Sequence, residues 1–330
     1  MKIALFSAKS YDKEYFDRIN KHHHYSITYF EAGLNKNTAN LTQGFDAVCV
    51  FVNDNLDKET IEKIAANGIK IIALRCAGFN NVDIPAAYAN NIKVVRVPAY
   101  SPEAVAEHAV TLILTLNRKT HKAYNRVRES NFSLERLTGF NLHNKTVGVI
   151  GTGIIGRAFS TIMLGFGCHV IAYDVYETDE LKQKGVKYVS LDELLEQADI
   201  ISLHCPLTPE TKHIINKSAF NKMKHGAMLI NTGRGALINT KDAIKALKDG
   251  KLGYLGIDVY EQETNIFFRD LSEEIMQDEV FARLMTFPNV LVTAHQAFFT
   301  SEALEQIAII TLNNLADFEN GKALVNEVKA

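Results

Sequence analysis

Short apolar runs alternate with amphipathic segments along the N-terminal third of the chain. The apolar runs are Ile3–Phe6, Ala47–Phe51, Ile71–Leu74 and Val94–Val97, and segments such as Asp57–Ala66 and Val82–Ala89 separate them. Apolar runs of this length are typical of buried strands, and the spacing of apolar residues between them is typical of helices. Repeated strand–helix units imply right-handed crossovers and a mostly parallel sheet.

The alternation restarts after Lys145. The second series of predicted strands consists of Val147–Ile150, Val170–Tyr173, Ile200–Leu203, Met228–Asn231, Gly256–Val259 and Val290–Thr293. A long helical pattern, Pro102–Asn117, lies between the two series, and another, Ser301–Asn320, follows the last strand. We interpret this last helix as crossing back to the N-terminal half. The pattern predicts an α/β protein with two doubly wound parallel-sheet domains, residues 1–100 with 299–330 and residues 101–298.

The composition is typical of a soluble globular protein. Apolar residues make up 47% of the chain, charged residues 22%, and the formal net charge is −2. No basic patch indicates a nucleic-acid partner, and no apolar run approaches the roughly 20 residues that span a bilayer. The four cysteines lie apart, without a C-x-x-C pair. We therefore expect a cytoplasmic protein without a metal site.

A glycine motif indicates a dinucleotide site in the second domain. Gly151, Gly153 and Gly156 follow an apolar run in G-x-G-x-x-G spacing and open an amphipathic segment. In such a motif the first glycine permits a tight turn, the second lets the backbone approach a pyrophosphate, and the third lets the helix pack on the strand. The helix start at Ile154–Ile155 would offer unpaired N–H groups to the phosphates.

Asp174 follows the next apolar run and is placed to accept hydrogen bonds from an adenosine ribose. A carboxylate at this point would repel a 2′-phosphate, and the segment Val175–Glu177 supplies no arginine to bind one. The sequence therefore favours NAD over NADP. The alternative, a glycine-rich turn that binds nothing, remains open.

One long segment, Tyr124–His143, does not follow the strand–helix alternation. It mixes several charges with the apolar residues Phe132, Leu134, Leu137, Phe140 and Leu142. An extended arm that grips a second subunit would bury these side chains, which predicts at least a homodimer and leaves a homotetramer open. The alternative is a long loop folded on its own domain.

Three ionisable residues follow the ends of late predicted strands. They are Arg234 in INTGRGALI, Glu263 in GIDVYEQE and His295 in VTAHQAF. Ligands of open α/β sheets bind at the carboxyl ends of the strands, so these side chains are expected at the same edge as the nicotinamide. Together they supply a fork for a carboxylate, a proton donor, and an acid that orients the donor.

The chain resembles the D-specific 2-hydroxyacid dehydrogenases, and within that family the fermentative D-lactate dehydrogenases. The resemblance runs from Met1 to the C-terminal helix. It rests on the motifs LRCAGFNNVD, VPAYSPEAVAEHA, GVIGTGIIG, SLHCPLTPET, INTGRGALI, GIDVYEQE and HQAFFTSEA, and on the segment Asn265–Asp270. It implies a Rossmann NAD-binding domain and a discontinuous, flavodoxin-like substrate domain. Gly233 stands where a serine is most expected in this family.

The resemblance also implies a role for each matched residue. Arg234 would bind the carboxylate of a 2-keto acid, with backbone N–H groups at Ala77 and Gly78 on its other side. His295, held by Glu263, would protonate the keto oxygen while NADH delivers hydride to C2. Asp258 would contact the carboxamide side of the cofactor, and it is the next candidate for the partner of His295. Further cofactor contacts are implied at Ile154, Ile155, Cys205, Pro206, Thr211, Thr232 and Gly233.

The substrate itself is inferred from the aromatic residues near these motifs. Phe51, Tyr100 and Phe298 are expected to wall the pocket around C3, which would favour pyruvate over branched keto acids. For Tyr100 and Phe298, ordinary hinge or core packing is an equal alternative. We therefore expect reversible, NADH-dependent reduction of pyruvate to D-lactate. The alternatives are a neighbouring 2-hydroxyacid dehydrogenase with another acid, and a binding protein that senses NAD(H).

Overall fold

The structure, a computed structural model, describes residues 1–263 and 266–329. The chain divides into two compact units. Unit 1 consists of Met1–Ser101 and Phe299–Ala330, and unit 2 consists of Pro102–Phe298.

Unit 1 is built on a five-stranded parallel sheet. Its strands are β1 (Lys2–Leu5), β2 (Ser26–Tyr29), β3 (Ala47–Val50), β4 (Ile71–Leu74) and β5 (Lys93–Val95). They lie in the order β2-β1-β3-β4-β5, the order of flavodoxin-like sheets. The central strands β3 and β4 are fully buried, which explains their continuous apolar sequence.

Helices cover both faces of this sheet. They are α1 (Ser10–Asn20), α2 (Lys58–Ala66), α3 (Ile84–Ala89) and the C-terminal helix, which we label α12 (Ser301–Glu319). The C-terminal helix packs against α1 and buries Ala308, Leu312 and Leu315 in the same core as Ile3 and Leu5. A short 3-10 helix, Ala39–Thr42, precedes β3.

Unit 2 is built on a seven-stranded parallel sheet. Its strands are β6 (Thr146–Ile150), β7 (His169–Tyr173), β8 (Lys187–Tyr188), β9 (Ile200–Leu203), β10 (Ala227–Asn231), β11 (Leu252–Ile257) and β12 (Val290–Val292). They lie in the order β12-β11-β10-β9-β6-β7-β8, which contains the Rossmann arrangement with its reversal between β6 and β9. The expected fold class, two doubly wound parallel sheets, is confirmed.

The helices of unit 2 form two layers with separate apolar cores. They are α4 (Pro102–Arg118), α5 (Thr120–Arg128), α6 (Ile154–Gly165), α7 (Asp179–Gln183), α8 (Leu191–Gln197), α9 (Lys217–Lys222), α10 (Thr240–Lys248) and α11 (Glu279–Met285). The helices α4 and α6 pack together on one face of the sheet, and α8, α9 and α10 pack on the other. A 3-10 turn, Gly235–Leu237, follows β10.

The structure differs from the sequence-based expectation at two edge strands, at the start of one strand and in one long segment. The edge strands β2 and β8 were not predicted, because they are short and half-exposed and lack an apolar run. The strand predicted at Gly256–Val259 begins earlier, at Leu252. The segment Tyr124–His143 is not one extended arm, because α5 takes up its beginning and Leu142 is buried in the core of unit 2.

Candidate active site

The glycine motif forms a tight turn between β6 and α6. Gly151 has a φ of +95°, and a Cβ at this position would overlap the backbone of His204 and Cys205. A Cβ at Gly156 would overlap the carbonyl group of Gly151, so these two glycines are required by backbone contacts. Gly153, in contrast, faces open space and precedes the first residues of α6, where Ile154 is 55% exposed. The turn therefore presents an accessible helix N-terminus at the carboxyl edge of the sheet.

Asp174 lies at the end of β7, directly beside this turn. Its carboxylate accepts hydrogen bonds from the backbone N–H and the hydroxyl group of Thr152, and from the backbone N–H of Tyr176 at 3.0 Å. The hydroxyl group of Tyr188 in β8 donates to Thr152 Oγ1 at 3.0 Å. The edge strand β8 thus helps to fix Asp174 and the glycine turn in one arrangement.

The loop after β9 packs against the glycine turn, since the backbone of His204 and Cys205 lies next to Gly151. Burial lowers the pKa of His204 to about 3, so this imidazole is neutral, and its Nε2 lies 2.9 Å from the Ser202 hydroxyl. Burial raises the pKa of the neighbouring Cys205 thiol to about 11, so it stays protonated at neutral pH. Thr211 closes the loop, because its hydroxyl donates to the carbonyl group of Pro206 at 2.6 Å.

Arg234 follows β10 in a loop that Asn231 shapes from within. The Asn231 side chain accepts from the Gly233 N–H at 3.0 Å and donates to the Arg234 carbonyl at 2.9 Å. The half-buried Arg234 side chain donates back to the Gly233 carbonyl at 2.8 Å. A Cβ at Gly233 would make only ordinary contacts, so the glycine found in place of the expected serine is not required by packing. Thr232 contributes a buried hydroxyl oxygen with no partner among the described residues.

His295 and Glu263 form a hydrogen-bonded pair. His295 Nδ1 lies 2.8 Å from Glu263 Oε1, and the two side chains are 20% and 24% exposed. Glu263 Oε2 accepts from the backbone N–H of Tyr260 at 2.9 Å, so both carboxylate oxygens are engaged. This contact leaves Nε2 of His295, on the other side of the ring, to act on a substrate. The pair is the geometry of an imidazole acid with an orienting carboxylate.

Asp258 directly follows β11 and is hydrogen-bonded to the loop that carries His295. Its side chain is 0% exposed. Its carboxylate accepts from the backbone N–H groups of Gln296 at 2.9 Å and Ala297 at 2.8 Å, and from the Thr293 hydroxyl. Burial alone would raise the pKa of Asp258, but hydrogen bonds from His108, Thr293 and the backbone of Ala297 and Gln296 lower it below its ordinary value. The expected contact of Asp258 with the cofactor stays a prediction.

The segment Asn265–Asp270, part of the resemblance noted above, lies partly outside the described residues, since Asn265 is not described. Phe267 packs with Tyr260 and Phe281 in a small aromatic cluster. The Phe268 ring lies 5.7 Å from the imidazole of His295, measured between ring centroids. This segment thus places an aromatic ring next to the His295 imidazole.

In unit 1, the predicted substrate groups follow the two neighbouring strands β3 and β4. Phe51 comes directly after β3, and the guanidinium of the buried Arg75 lies 4.8 Å from the centre of its ring. The loop with Ala77 and Gly78 comes after β4, and the Arg96 side chain donates to the Ala77 carbonyl at 2.8 Å. Because parallel strands end at the same sheet edge, Phe51 and this loop lie on one edge of unit 1.

The two remaining predicted pocket residues lie near the division of the chain. Tyr100 is half-buried in unit 1, and Phe298, the last residue of unit 2, is 8% exposed. Their roles in a pocket stay predictions.

The residues that the sequence did not single out are those that support the predicted ones. Thr152, Asn231 and Thr293 each hold a predicted site residue or its loop through a side-chain hydrogen bond. His108 lies 3.0 Å from Thr293 and 3.4 Å from Asp258. The only sequence signal for His108 was its place in the motif VPAYSPEAVAEHA.

The residues of unit 2 fit a dinucleotide. The open N-terminus of α6 suits a pyrophosphate, and the Asp174 carboxylate suits a ribose. The buried hydroxyl oxygen of Thr232 has no hydrogen-bond partner among the described residues. Within residues 1–263 and 266–329, no cluster of His, Cys, Asp or Glu has the arrangement of a metal site. In the same residues, none of the helices has the length and apolar character to cross a bilayer.

Comparisons with known proteins show which proteins the chain is similar to. Residues 110–297 match the family described as D-isomer specific 2-hydroxyacid dehydrogenase, NAD binding domain. The apo-structure of D-lactate dehydrogenase from Escherichia coli is 50% identical, with a TM-score of 0.92, over 99% of this chain and 100% of that chain. The pyruvate reductase of Chlamydomonas reinhardtii is 45% identical, with a TM-score of 0.95, over 99% and 98% of the two chains. D-lactate dehydrogenase with NAD+ from Lactobacillus jensenii is 33% identical, with a TM-score of 0.84, over the full length of both chains.

Proposed function

The chain belongs to the D-isomer specific 2-hydroxyacid dehydrogenase family, and on that premise we propose that it reduces pyruvate to D-lactate with NADH. The protein is an NAD-dependent oxidoreductase of this family. The observation that carries the finer proposal is the His295–Glu263 pair at 2.8 Å, next to the loop of Arg234 on neighbouring strands of one sheet. Relatives named for D-lactate and for pyruvate support the choice of acid.

The first step of the proposed mechanism is capture of the substrate carboxylate. Arg234 presents a planar guanidinium that can hold both carboxylate oxygens, which the point charge of a lysine cannot do. The Ala77 and Gly78 N–H groups would bind the same carboxylate. The Arg96 contact to the Ala77 carbonyl fixes the peptide between them, since that carbonyl and the Gly78 N–H belong to one peptide unit.

The second step is proton transfer to the keto oxygen. When bound, NADH supplies the hydride that adds to C2. His295 would donate its Nε2 proton to the keto oxygen, so that negative charge does not build up on that oxygen. Glu263 holds Nδ1 and stabilises the imidazolium before transfer. The balance is pyruvate + NADH + H⁺ giving D-lactate + NAD⁺, with the proton taken from solvent through His295.

The cofactor would be held along the carboxyl edge of the unit 2 sheet. Gly151, Gly153 and Gly156 with Ile154 and Ile155 would receive the pyrophosphate, and Asp174 the adenosine ribose. The loops with Cys205, Pro206, Thr211, Thr232, Gly233 and Asp258 would line the nicotinamide half. We propose unit 2 as the NAD-binding domain and unit 1 as the substrate domain.

The pocket proposal concerns the group on C3 of the keto acid. Phe51, Tyr100 and Phe298 would leave room for a methyl group and disfavour a branched chain. A methylene group changes such discrimination by only about 1–3 kcal/mol, so other short 2-keto acids should react more slowly rather than not at all.

The test is an absorbance assay of NADH oxidation with pyruvate and with 4-methyl-2-oxopentanoate, a branched 2-keto acid. We expect the larger kcat/KM with pyruvate, and in the reverse direction oxidation of D-lactate but not of L-lactate. A larger kcat/KM with the branched acid would show that pyruvate is not the preferred substrate. NADH binding without turnover of either acid would instead support a sensor of NAD(H).

A matched substitution tests the carboxylate fork. Arg234→Lys keeps the charge and loses the planar geometry, so the KM for pyruvate should rise steeply and kcat should also fall. The control is Lys212→Arg, a cation in the loop that contains Thr211, which should leave both parameters unchanged. An unchanged KM in Arg234→Lys would remove Arg234 from carboxylate binding.

We further propose that the protein acts as a homodimer in a reducing compartment such as the cytoplasm. The four cysteines are free thiols. Part of the segment after α5 carries exposed apolar side chains that a second copy of the chain would cover.

A further inference from the structure

A cluster of polar side chains is hydrogen-bonded to the His295 loop and has no assigned part in the proposed proton transfer. It consists of Asp258 after β11, Thr293 after β12 and His108 in α4. His108 Nε2 lies 3.0 Å from Thr293 Oγ1 and 3.4 Å from Asp258 Oδ1. The side chain of His108 is 13% exposed and that of Asp258 is 0% exposed, so water competes little for these contacts. Buried polar groups are kept at such positions only when they satisfy one another.

The hydrogen bonds of the cluster fix the order of its protons. The carboxylate of Asp258 can only accept, so the single hydroxyl proton of Thr293 lies toward Asp258 Oδ1. Thr293 Oγ1 must then accept from His108, which requires a proton on Nε2 of that imidazole. The result is a chain in which His108 donates to Thr293 and Thr293 donates to Asp258.

Asp258 in turn holds the backbone of the proton donor. His295 has a φ of +53°, in the left-handed region that residues with a Cβ rarely adopt. Its N–H donates to the Asp258 carbonyl at 2.7 Å. The next two N–H groups, of Gln296 and Ala297, donate to the two oxygens of the Asp258 carboxylate. One residue therefore receives three successive backbone N–H groups and keeps the loop in its strained form.

We propose that His108 is a positioning residue for the reaction, which keeps the His295 imidazole aligned through Thr293 and Asp258. The inference deepens the proposed function and rests on it, since it takes His295 as the proton donor. Without the His108 imidazole, Thr293 loses the donor that orients its hydroxyl, and Asp258 Oδ1 loses its contact with Nε2 at 3.4 Å. The loop can then relax from its left-handed conformation, which turns the imidazole away from Glu263. Misplacement of a reacting group by about 1 Å can lower a rate by about 100-fold.

The test compares His108→Leu with His108→Gln. Leucine has a similar size and no donor, whereas the amide nitrogen of glutamine can occupy the place of Nε2 and donate to Thr293. We expect His108→Leu to lower kcat for pyruvate about 10–100-fold. The dissociation constant of NADH, measured by fluorescence, should change less than about threefold because most of the proposed cofactor contacts lie elsewhere. His108→Gln should recover most of the lost kcat.

The matched control is Asn289→Ala. The Asn289 side chain donates to the Gly253 carbonyl at 2.7 Å, so it also links β11 to β12, but at the amino ends of these strands. This variant should lose thermal stability and keep its kcat. The comparison separates loss of a strand contact from loss of alignment at His295.

A second pair of variants carries the test if His108→Leu does not fold. Thr293→Val removes the middle hydroxyl and should lower kcat, whereas Thr293→Ser keeps the hydroxyl and should remain close to the wild-type protein. An equal kcat in Thr293→Val and Thr293→Ser would overturn the proposal. An unchanged kcat in a folded His108→Leu, or a failure of His108→Gln to recover kcat, would also overturn it.

These outcomes are distinct from failure of the proposed function. If the wild-type protein prefers another 2-keto acid, the same variants are measured with that acid. If His295→Gln is inactive and His108→Leu is fully active, the proton donor stands and the positioning role of His108 is wrong.

Discussion

At the scale of single residues, the structure places the Glu263 carboxylate 2.8 Å from Nδ1 of His295, the proposed proton donor. Glu263→Gln removes this charge, so His295 should hold its proton less well. Pyruvate reduction should therefore decline at a lower pH than in the wild-type protein, and activity should return in part as the pH is lowered. Recovery should stay incomplete, because both oxygens of Glu263 accept hydrogen bonds and an amide can accept only on one side.

The control for this pH profile is Glu261→Gln. Glu261 lies in the same loop and pairs with another imidazole, His213, at 2.7 Å. Its substitution should leave the pH profile of pyruvate reduction unchanged. An unchanged profile in Glu263→Gln would show that Glu263 is not the partner of His295, and Asp258 would be the next candidate.

Asp174 is predicted to select the cofactor. Asp174→Ala removes the carboxylate that would face a 2′-phosphate, so the ratio of kcat/KM for NADH to that for NADPH should fall. The absolute kcat/KM for NADH should fall as well, because Thr152 and Tyr176 lose their acceptor. Asp179→Ala, at the exposed start of α7, is the matched control and should keep the ratio. Equal use of both cofactors by the wild-type protein would contradict the assignment.

The sequence placed Arg234, Glu263 and His295 at strand ends, because strand–helix alternation locates those ends without any tertiary contact. The structure adds the 2.8 Å contact between Glu263 and His295. The three hydrogen bonds by which Asp258 holds the backbone of residues 295–297 could not be predicted from the sequence. They depend on a backbone conformation and on a partly buried histidine in α4, neither of which leaves a pattern in hydrophobicity.

At the scale of elements, a glycine allows the loop that carries Arg234 to lie close against the loop that carries Glu263. A Cβ at Gly235 would overlap the carbonyl group of Tyr260. Gly235→Ala should therefore push the loop after β10 away from the loop after β11, which lowers both the melting temperature and kcat. Gly165→Ala is the control, since a Cβ there meets nothing and the backbone is unstrained. Equal melting temperatures and rates in the two variants would show that the loops tolerate the added carbon.

Buried elements were predictable and exposed ones were not. The runs Ile71–Leu74 and Ile200–Leu203 were predicted with the bounds that the structure shows, because every residue in them is buried and all except Ser202 are apolar. The helix α5 was missed, since it buries none of its residues and so lacks an apolar stripe strong enough to be read from the sequence.

At the scale of the whole molecule, the predicted contact with a second copy of the chain lies in the segment Tyr124–His143. Its apolar residues fall into two groups. Leu142 and, in part, Phe140 pack into the core of unit 2, as a loop folded on its own domain would. Phe132 and Leu134 are 73% and 82% exposed, and Tyr124 and Val127 of α5 are 62% and 54% exposed. Exposed apolar groups clustered along one segment are typical of an interface.

The segment is also held in a defined shape, which favours a docking surface over an unstructured loop. Arg126 donates to the Glu135 carbonyl at 2.7 Å, and Lys119 donates to the carbonyl groups of Arg136 and Thr138 at 2.8 and 3.2 Å. A rigid surface loses less conformational entropy on association than a mobile one. We therefore expect the wild-type protein to be at least a dimer at micromolar concentration.

The double variant Phe132→Asp/Leu134→Asp should shift this dimer to monomer, because association would bury two carboxylates without partners. The mass measured by light scattering should fall by half, while the melting temperature of the monomer should change little, since both side chains are exposed. Val325→Asp is the matched control, because Val325 is an 89% exposed apolar residue outside the segment. A monomeric wild-type protein, or a double variant that keeps the full dimer mass, would place any interface elsewhere on the surface.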